Sequence, residues 1–461
     1  MPRLCEAWPV MPFEECLVSA KASYRKLKSG DIKASGSIPV IDQGETFISG
    51  YTDDPANEYP GALPVIVFGD HTRRFKFVDF KFAVGAQGTH LLYPRADLTP
   101  KFFYHYLSAL DLESQGYSRH YKFLKQALVP IPPAPEQRRI VAKLETLFCK
   151  VDACQQRLAK IPVLLKRFRQ SVLAAACCGR LTADWRQENS QEASSLLTVP
   201  AKRPLPLIEE EELLFDAPES WKWFRLGTLA TFINGDRGKC YPNKSEYVST
   251  GIPFINAGHI LPNGTLCTES MHFITREKFD SLRSGKIQTG DLLYCLRGTL
   301  GKTAIVESYA KGAIASSLVI VRTHEPLHRK FAFYYLTSRF GAELVERFDN
   351  GSAQPNLSAE SVRHYLISLP PFAEQQEIVR RVEALFALAD QIETRYLKAK
   401  AYIEKLTPSI LAKAFRGELV PQDPNDEPAS VLLERIRQQR NGENSSTRRS
   451  PRPSRHAKSL R

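Results

Sequence analysis

A repeated segment limits what this chain can fold into more than any other feature. One copy begins at Ile131 and reads IPPAPEQRRIVAKLETLFCKVDACQQRLAK, and the other begins at Leu369 and reads LPPFAEQQEIVRRVEALFALADQIETRYLK. The two align without a gap, and the same offset holds further along the chain. Identical pairs include Glu136 and Glu374, Gln137 and Gln375, Ile140 and Ile378, Phe148 and Phe386, and Gly179 and Gly417. Such a long match indicates an internal duplication.

The regions in front of the two copies also correspond, although more faintly and with gaps. Short matches link Trp8 with Trp221, and KFFYHYL at 101–107 with KFAFYYL at 330–336. Both regions contain short β-rich runs that Gly and Pro interrupt, such as LPVIVFGD and SSLVIVRT. The chain therefore reads as module, helix, module, helix, in which the helices match closely and the modules differ.

Each repeated segment carries an apolar seam of the kind found in coiled coils. Apolar residues recur at steps of four and three from Ile140 to Phe168 and from Ile378 to Ile410, which predicts two long helices. Two such seams in one chain most simply pack against each other, and the duplication favours a pseudo-two-fold arrangement. Because proline disrupts a helix interior, Pro162 should kink or break the first helix, and Pro408 is a second candidate position.

The charge balance favours an anionic partner. Lys and Arg number 63 against 50 Asp and Glu, a net charge of +13, and nucleic acid is the obvious partner for such a surface. No apolar stretch approaches the ~20 residues that span a bilayer, and the first residues lack the pattern of a secretion signal. We therefore expect a cytoplasmic protein without a membrane partner.

Three near-matches to catalytic motifs fail on particular residues. LRGTLGKTAIV at 296–306 has Leu296 where a P-loop needs its first glycine, so the phosphate cradle is incomplete. LPPFA at 369–373 has Leu369 where an adenine methyltransferase needs a polar residue for the target amine. We find no nuclease-like acidic pattern, no HExxH, and no CxxC pair among the nine scattered cysteines. We expect no catalytic, cofactor-binding or metal-binding residue in this chain.

Basic and amide side chains between the strands are the candidates for DNA contact. Arg and Lys suit guanine edges, Asn and Gln suit adenine edges, and all four can hold phosphate. For each residue, phosphate contact or simple solvation competes with base contact. The candidates are Arg73, Arg74, Lys76 and Gln87 in the first module, and Arg237, Lys239, Arg297, Lys302, Gln354 and Asn356 in the second.

Short amphipathic pieces follow both helices, EASSLL at 192–197 and EPASVLLERI at 427–436. Because they recur in both copies, they are candidate docking sites for two identical partner subunits. The alternative is that they act only as helix caps and connectors.

The arrangement resembles the specificity subunit of type I restriction–modification systems. The resemblance lies in the twice-repeated LPP-x-x-EQ-x-x-IV opening, the G-x-L closing, and the runs IVFGDHTRRFKFVDFKFAVGAQG, LRGTLGKTAIV and NGSAQPNLS. It implies two target recognition domains, each reading one half of a gapped target in double-stranded DNA. We accordingly expect an α+β fold in which these domains alternate with two long helices that form an intramolecular antiparallel coiled coil.

The same resemblance implies partners and the cofactors that they carry. Two methyltransferase (modification) subunits would dock on this chain, and restriction subunits with motor and endonuclease activity would join them. This chain would hold no cofactor, and S-adenosylmethionine, ATP and Mg²⁺ would belong to the partners. The first module departs from the family pattern, because QGYSRHYKFLKQA stands where the second module has its NGSAQPNLS run.

Two other classes of function stay open at this point: a catalytic methyltransferase or nucleotide-dependent enzyme, and a coiled-coil scaffold that does not read DNA. The expected domains are a first target recognition domain (1–132), a first helical spacer (133–186), a linker (187–220), a second target recognition domain (221–370), a second helical spacer (371–440) and a disordered basic tail (441–461).

Overall fold

The computed structural model of the chain describes residues 4–18, 23–85, 88–112, 119–189, 205–349 and 355–447, with side chains up to residue 438. These residues form two compact units. The first unit combines Met1–Ala159 with Lys398–Arg461, and the second is Lys160–Leu397. Each unit therefore holds one module, the start of the repeated helix that follows it, and the end of the other repeated helix.

Helices and strands both contribute to each unit, as expected of an α+β fold. The helices are α1 (Pro100–Ala109), α2 (Tyr121–Leu124), α3 (Ala134–Leu158), α4 (Ile161–Cys177), α5 (Ala183–Glu188), α6 (Leu226–Leu229), α7 (Arg276–Ser281), α8 (Arg329–Thr337), α9 (Arg339–Phe348), α10 (Ala359–Arg363), α11 (Phe372–Phe415) and α12 (Ala429–Thr447). The strands of the first unit are β1 (Val10–Pro12), β2 (Lys26–Leu27), β3 (Ile38–Ile41), β4 (Gly50–Thr52), β5 (Val65–Gly69), β6 (Phe75–Val78), β7 (Ala83–Gly85), β8 (Thr89–Leu92) and β9 (Leu128–Pro130). The strands of the second are β10 (Lys222–Arg225), β11 (Ala230–Asn234), β12 (Ile252–Ile255), β13 (His272–Ile274), β14 (Leu292–Cys295), β15 (Thr303–Ile305), β16 (Ala313–Ile314), β17 (Leu318–Thr323) and β18 (Leu366–Leu369).

The two modules share most of their strand pairing. In the first, the sheets have the orders β1-β9, β2-β7-β3-β4 and β6-β5-β8; in the second, β10-β18, β13-β12-β16 and β11-β17-β14-β15. Each module closes with an antiparallel pair of its first and last strands, β1 with β9 and β10 with β18. Each also has a parallel pair at the corresponding place, β3 with β7 and β12 with β16, and in the first module β2 pairs parallel with β7 as well. The duplication predicted from the helices thus extends to the topology of the modules.

The predicted helix break occurs at Pro162 but not at Pro408. α3 ends at Leu158, and α4 begins at Ile161 with Pro162 in its first turn, so the expected break is confirmed. Pro408 lies inside α11, which continues to Phe415 without ending there.

In the second unit, α4 and the first part of α11 pack antiparallel. Arg169 on α4 donates to Asp390 and Glu393, at 2.7 Å each. Further along α4, Cys177 lies in the same apolar core as Ile378, which comes earlier on α11. Later residues of α4 therefore contact earlier residues of α11, as in an antiparallel pair. In the first unit, Ile140 and Leu144 of α3 share a core with Leu411 and Phe415 at the other end of α11.

The apolar seam is not buried along its whole length. Ile140, Leu144 and Val151 of α3 are buried, as are Ile378, Val382 and Ala389 of α11. Cys154 and Ile392 were also expected on the seam, but both are exposed. Heptad spacing identifies one face of a helix, whereas burial requires a partner at each level of that face.

The same contacts hold each module to the helix that follows it. Trp8 Nε1 donates to Glu136 (3.2 Å), and Trp221 Nε1 donates to Glu374 (2.9 Å). The amide of Gln137 accepts from the backbone N–H of Thr99 (2.8 Å), and that of Gln375 accepts from His328 (2.8 Å). We call each set of Trp, Glu and Gln a helix-opening clamp. The clamps explain why Glu and Gln occur together in both copies.

Part of the segment expected as a linker packs on the second module. The buried guanidinium of Arg225 donates to the carbonyls of Pro206 and Leu207 (3.0 Å each) and to Glu212. Phe215 packs its ring against Trp223 and Phe340. Residues 205–217 therefore act as an ordered strap along that module, while residues 190–204 lie outside the described part of the chain.

The segment at 427–436 was expected as a docking piece, but its apolar face is already covered. Leu432 and Ile436 on α12 are buried in the core of the first unit. The connector interpretation therefore fits this copy better, and 192–197 lies outside the described residues. α12 continues to Thr447, past residue 441 where the basic tail was expected to begin.

We expect Glu374→Gln to lower the free energy of unfolding of the second unit by about 3 kcal/mol, because it removes the charged partner of a largely buried arginine. Glu374 is fully buried, and besides Trp221 it accepts from Thr182 Oγ1 (2.6 Å) and from Arg186. Chemical denaturation measures the effect. The matched control is Glu383→Gln, whose half-exposed pair with Lys330 should contribute under ~1 kcal/mol. Equal losses in the two variants would show that the clamp does not hold the module.

The imidazole of His105 should make the first unit sensitive to acid. Its ring is buried among Tyr104 and Phe148, and burial lowers its pKa from 6.5 to about 4. Between pH 4 and 6.5, the imidazole is therefore protonated in the unfolded chain and neutral in the folded unit. The free energy of unfolding is therefore unaffected by His105 above pH ~6.5. It decreases as the pH falls towards 4, by up to about 3 kcal/mol. His105→Phe should flatten that part of a stability–pH curve measured by denaturation; an unchanged slope would contradict the assignment.

Candidate nucleic-acid interface

In the second module, three loops meet at one edge of the four-stranded sheet. β11 ends at Asn234 opposite Val319, and β14 ends at Cys295 opposite Leu318. Both strands run antiparallel to β17, so both end where β17 begins. The loop after β11, the hairpin loop after β14 and the segment before β17 therefore lie at the same edge, and four of the candidate residues belong to the first two loops.

A buried carboxylate shapes the loop after β11. Asp236 accepts hydrogen bonds from the backbone N–H groups of Gly238 (2.9 Å) and Arg283 (2.8 Å). These bonds, with that from Gly238 the largest cause, lower the pKa of Asp236, so the carboxylate stays ionised at neutral pH. Arg237 and Lys239 are exposed on this loop. Asp236 was missed in the sequence, where the Asp-x-Gly spacing of an Asx turn is its only signal.

The hairpin loop after β14 brings a guanidinium beside the side-chain amide of a distant residue. Gly298 and Gly301 have φ of 87° and 75°, in the left-handed region that glycine adopts without strain. Arg297 donates to the side-chain oxygen of Asn356 (3.3 Å), and both residues are exposed. Lys302 is half-buried at the end of the loop. Three of the predicted residues are thus brought together here.

The hairpin also explains the near-match to a P-loop. A P-loop joins a strand to a helix whose N-terminus faces the phosphates. Here the GTLGK run joins β14 to β15, an antiparallel partner strand. The glycines therefore make a tight turn between strands and build no phosphate cradle.

In the first module, the corresponding hairpin loop joins β5 to β6. Arg73 has a φ of 60° and donates to the carbonyl of Leu112 (2.6 Å), so its guanidinium also fixes a neighbouring segment. Arg74 is exposed and pairs with the exposed Glu45 at 2.8 Å. With Phe47 and Tyr104, these residues line an open depression on this module.

Lys76 differs from the other candidates. Its side chain is buried, and the ammonium donates to the carbonyl of Thr46 (2.6 Å) and lies 3.8 Å from Asp42. Burial lowers its pKa. The ammonium is therefore used inside the module, and we leave it out of the proposed DNA surface. Gln87 and Gln354 lie outside the described residues.

Other kinds of site have little support in the described ranges. No group of three or more His, Cys, Asp or Glu side chains there is placed to hold a metal ion. No helix in the same ranges has the length and apolar character needed to cross a membrane. The LPPFA run leads directly into α11, which begins at Phe372, and this fits its interpretation as a helix entry.

The family model described as the type I restriction modification DNA specificity domain matches residues 11–163 and 218–400. The match occurs twice and takes in both modules with the helix that follows each. The chain belongs to this family. As a type I restriction–modification specificity subunit, it selects the DNA sequence and does not perform the chemistry of modification or cleavage.

Relatives with similar sequences are also named as specificity subunits. The chain is 33% identical over 358 residues to the type I restriction enzyme EcoBI specificity subunit of Escherichia coli, covering 74% of this chain and 72% of the relative. It is 32% identical over 332 residues to the EcoKI specificity subunit of Escherichia coli K12, covering 68% and 64%.

Solved structures confirm the fold. A chain from a study of complex assembly and conformational transition in the type I R-M system superposes with a TM-score of 0.61 at 18% identity, covering 90% of this chain and 99% of that one. The HsdS subunit from Thermoanaerobacter tengcongensis gives a TM-score of 0.55, also at 18% identity, over 90% and 98%.

We expect Asp236→Asn to loosen the loop that carries Arg237 and Lys239. The two backbone N–H groups donate to different oxygens of Asp236, and the amide replaces one of these oxygens with an NH2 group that cannot accept. Losing one such acceptor costs about 1–2 kcal/mol. Hydrogen exchange at Gly238 and Arg283 should accelerate about 5- to 30-fold, as measured by mass spectrometry. Asp280→Asn is the control, since Asp280 is an exposed partner of Arg276. Unchanged exchange at both amides would exclude Asp236 as the organiser of this loop.

Proposed function

We propose that this chain reads a DNA target in two parts, one with each module, and joins modification and restriction subunits in one complex. The observation that carries the proposal is that the helix-opening clamp and the module topology occur twice, whereas the loops at the sheet edges differ. A duplicated scaffold with two different reading edges suits an asymmetric target with two half-sites.

In the second module, Arg297 and Asn356 are the best candidates for base contact. A guanidinium can donate two hydrogen bonds to a guanine edge, and an asparagine amide matches an adenine edge. Their mutual hydrogen bond orients the guanidinium before DNA arrives and reduces the entropy lost on binding. Arg237 and Lys239, exposed on the neighbouring loop, suit the phosphates beside those bases.

In the first module, Arg74 is the best candidate. Its pair with Glu45 is exposed on both sides, and such a pair contributes little stability. The guanidinium can therefore leave Glu45 for DNA at small cost. Arg73 is committed to the carbonyl of Leu112 and would act mainly by holding the loop in place.

The partners belong to the same proposal. Two modification subunits would carry S-adenosylmethionine, and restriction subunits would carry ATP and Mg²⁺, while this chain would hold no cofactor. The support is the family, whose relatives are named as specificity subunits of restriction enzymes, and the solved relative that comes from a study of complex assembly.

Detection of modified bases in the host genome tests the two-part target directly. With the gene present, we expect one methylated motif made of two short blocks with an unspecified gap between them. Deletion of the gene should abolish methylation of that motif. A motif without a gap, or methylation that persists after deletion, would contradict the proposal.

Two variants test which module reads which block. Arg297→Ala should relax one block of the motif, because a bidentate base contact discriminates by about 1–3 kcal/mol, or roughly 5- to 150-fold. Arg74→Ala should leave that block unchanged and affect the other, so each variant is the control for its counterpart. Loss of both blocks together in either variant would argue against independent reading.

A further inference from the structure

A cavity of about 450 Å³ opens beside the clamp of the first unit. Its wall includes Trp8 and Glu136 from the clamp, and Asp423, Asp426 and Ser430 from the segment after α11. All of these residues belong to the first unit. The cavity therefore combines an aromatic ring with three carboxylates, a composition that suits a cation.

One oxygen of Glu136 has no partner within the described residues. Oε2 accepts from Trp8, whereas Oε1 is buried without a hydrogen bond. The residue as a whole is only 2% exposed. A buried carboxylate oxygen without a donor is costly, so a further hydrogen-bond donor at this place would be stabilising. Burial is also the main cause that raises the pKa of Glu136.

The second unit shows which group completes the same clamp. There the equivalent carboxylate, Glu374, is bonded by Trp221, Thr182 and Arg186. The guanidinium of Arg186 also lies 5.8 Å from the centre of the Trp221 ring. Both contacts are favourable for arginine, with a carboxylate at its edge and an aromatic ring at its face.

Among the described residues that line the cavity of the first unit, none is an arginine. At the offset that relates the two copies, Arg186 corresponds to Pro424, which lines the cavity. The nearby Arg139 is already bound to Asp426 through two hydrogen bonds, at 3.2 and 2.7 Å. A cation that pairs with Glu136 would therefore come from outside the described lining of the cavity.

We propose that the cavity binds an arginine side chain of a partner subunit, whose guanidinium pairs with Glu136 and lies against Trp8. The inference rests on the proposed function, which supplies the partner, and it makes the modification subunit the subunit to test. The bound guanidinium would reproduce between two chains the contact that Arg186 makes within this one. Asp423 adds negative charge to the wall of the cavity, whereas the charge of Asp426 is balanced by Arg139.

The test measures binding of the purified modification subunit to the full chain. Glu136→Gln keeps an acceptor for Trp8 and removes the charge, so it should weaken binding roughly 30-fold or more, as expected when a buried charge pair loses one partner. Glu14→Gln is the matched control: it removes one negative charge from an exposed pair with Lys125 in the same unit and should leave the affinity unchanged.

A second variant keeps the test independent of folding. Ser430→Arg places a guanidinium in the wall of the cavity. It should raise the Tm of the free chain and weaken binding of the modification subunit, and Glu136→Gln in the same chain should abolish the rise in Tm.

The outcomes separate the two proposals. If the modification subunit binds the wild-type chain and the Glu136→Gln chain equally, the arginine site is wrong while the proposed function stands. If it does not bind the wild-type chain at all, the proposed partnership itself is wrong. Weaker binding in both cavity variants, with the Glu14→Gln chain unchanged, supports the site.

Discussion

The rest of the structure depends on one buried contact in each unit. A tryptophan of the module donates to a glutamate in the first turn of the helix that follows. Trp221 and Glu374 are both nearly or fully inaccessible to solvent. A buried carboxylate is tolerated only when donors surround it, so the module and the helix can meet in one relative position. The adjacent glutamine on the helix, which accepts from the backbone of His328 and donates to the carbonyl of Pro370, further restricts this position. The loops that face DNA can then differ between modules without disturbing the helices.

Much of the architecture could be predicted because its signals are periodic or repeated. The duplication, the helix break at Pro162 and the helix entry at LPPFA follow from local spacing. Whether an individual lysine or arginine side chain is buried or exposed could not be predicted in this way. Lys76 and Arg74 lie in one short basic run, yet the first is buried on a carbonyl and the second is exposed. Lys76 lies on the buried face of strand β6, whereas Arg74 precedes that strand. The groups that receive the Lys76 ammonium, the carbonyl of Thr46 and the carboxylate of Asp42, belong to a segment at least 30 residues earlier in the sequence, and only the fold brings them to Lys76.

Identical residues in the two copies also have different surroundings. Glu136 and Glu374 occupy the same position of the repeat and bond to equivalent tryptophans. The difference comes from the segment that closes over each clamp after the long helix of the other copy. That segment contains Arg186 in one unit and Pro424 in the other, and only the folded chain brings it to the clamp. A comparison of the helices alone cannot detect the difference.

In each unit an ionic contact of the same kind joins the closing segment to the opening helix, and the described residues of the second unit form a further ion pair at the clamp. An arginine on the opening helix pairs with an aspartate of the closing segment in each unit, Arg139 with Asp426 and Arg381 with Asp184. The aspartate is nearly buried in the first pair and exposed in the second. The second unit instead buries its extra charge pair, Arg186 with Glu374. An exposed pair contributes little, whereas breaking a buried pair costs several kcal/mol. The second unit therefore completes its clamp within its own fold, whereas in the first unit none of the described residues donates to the second oxygen of Glu136.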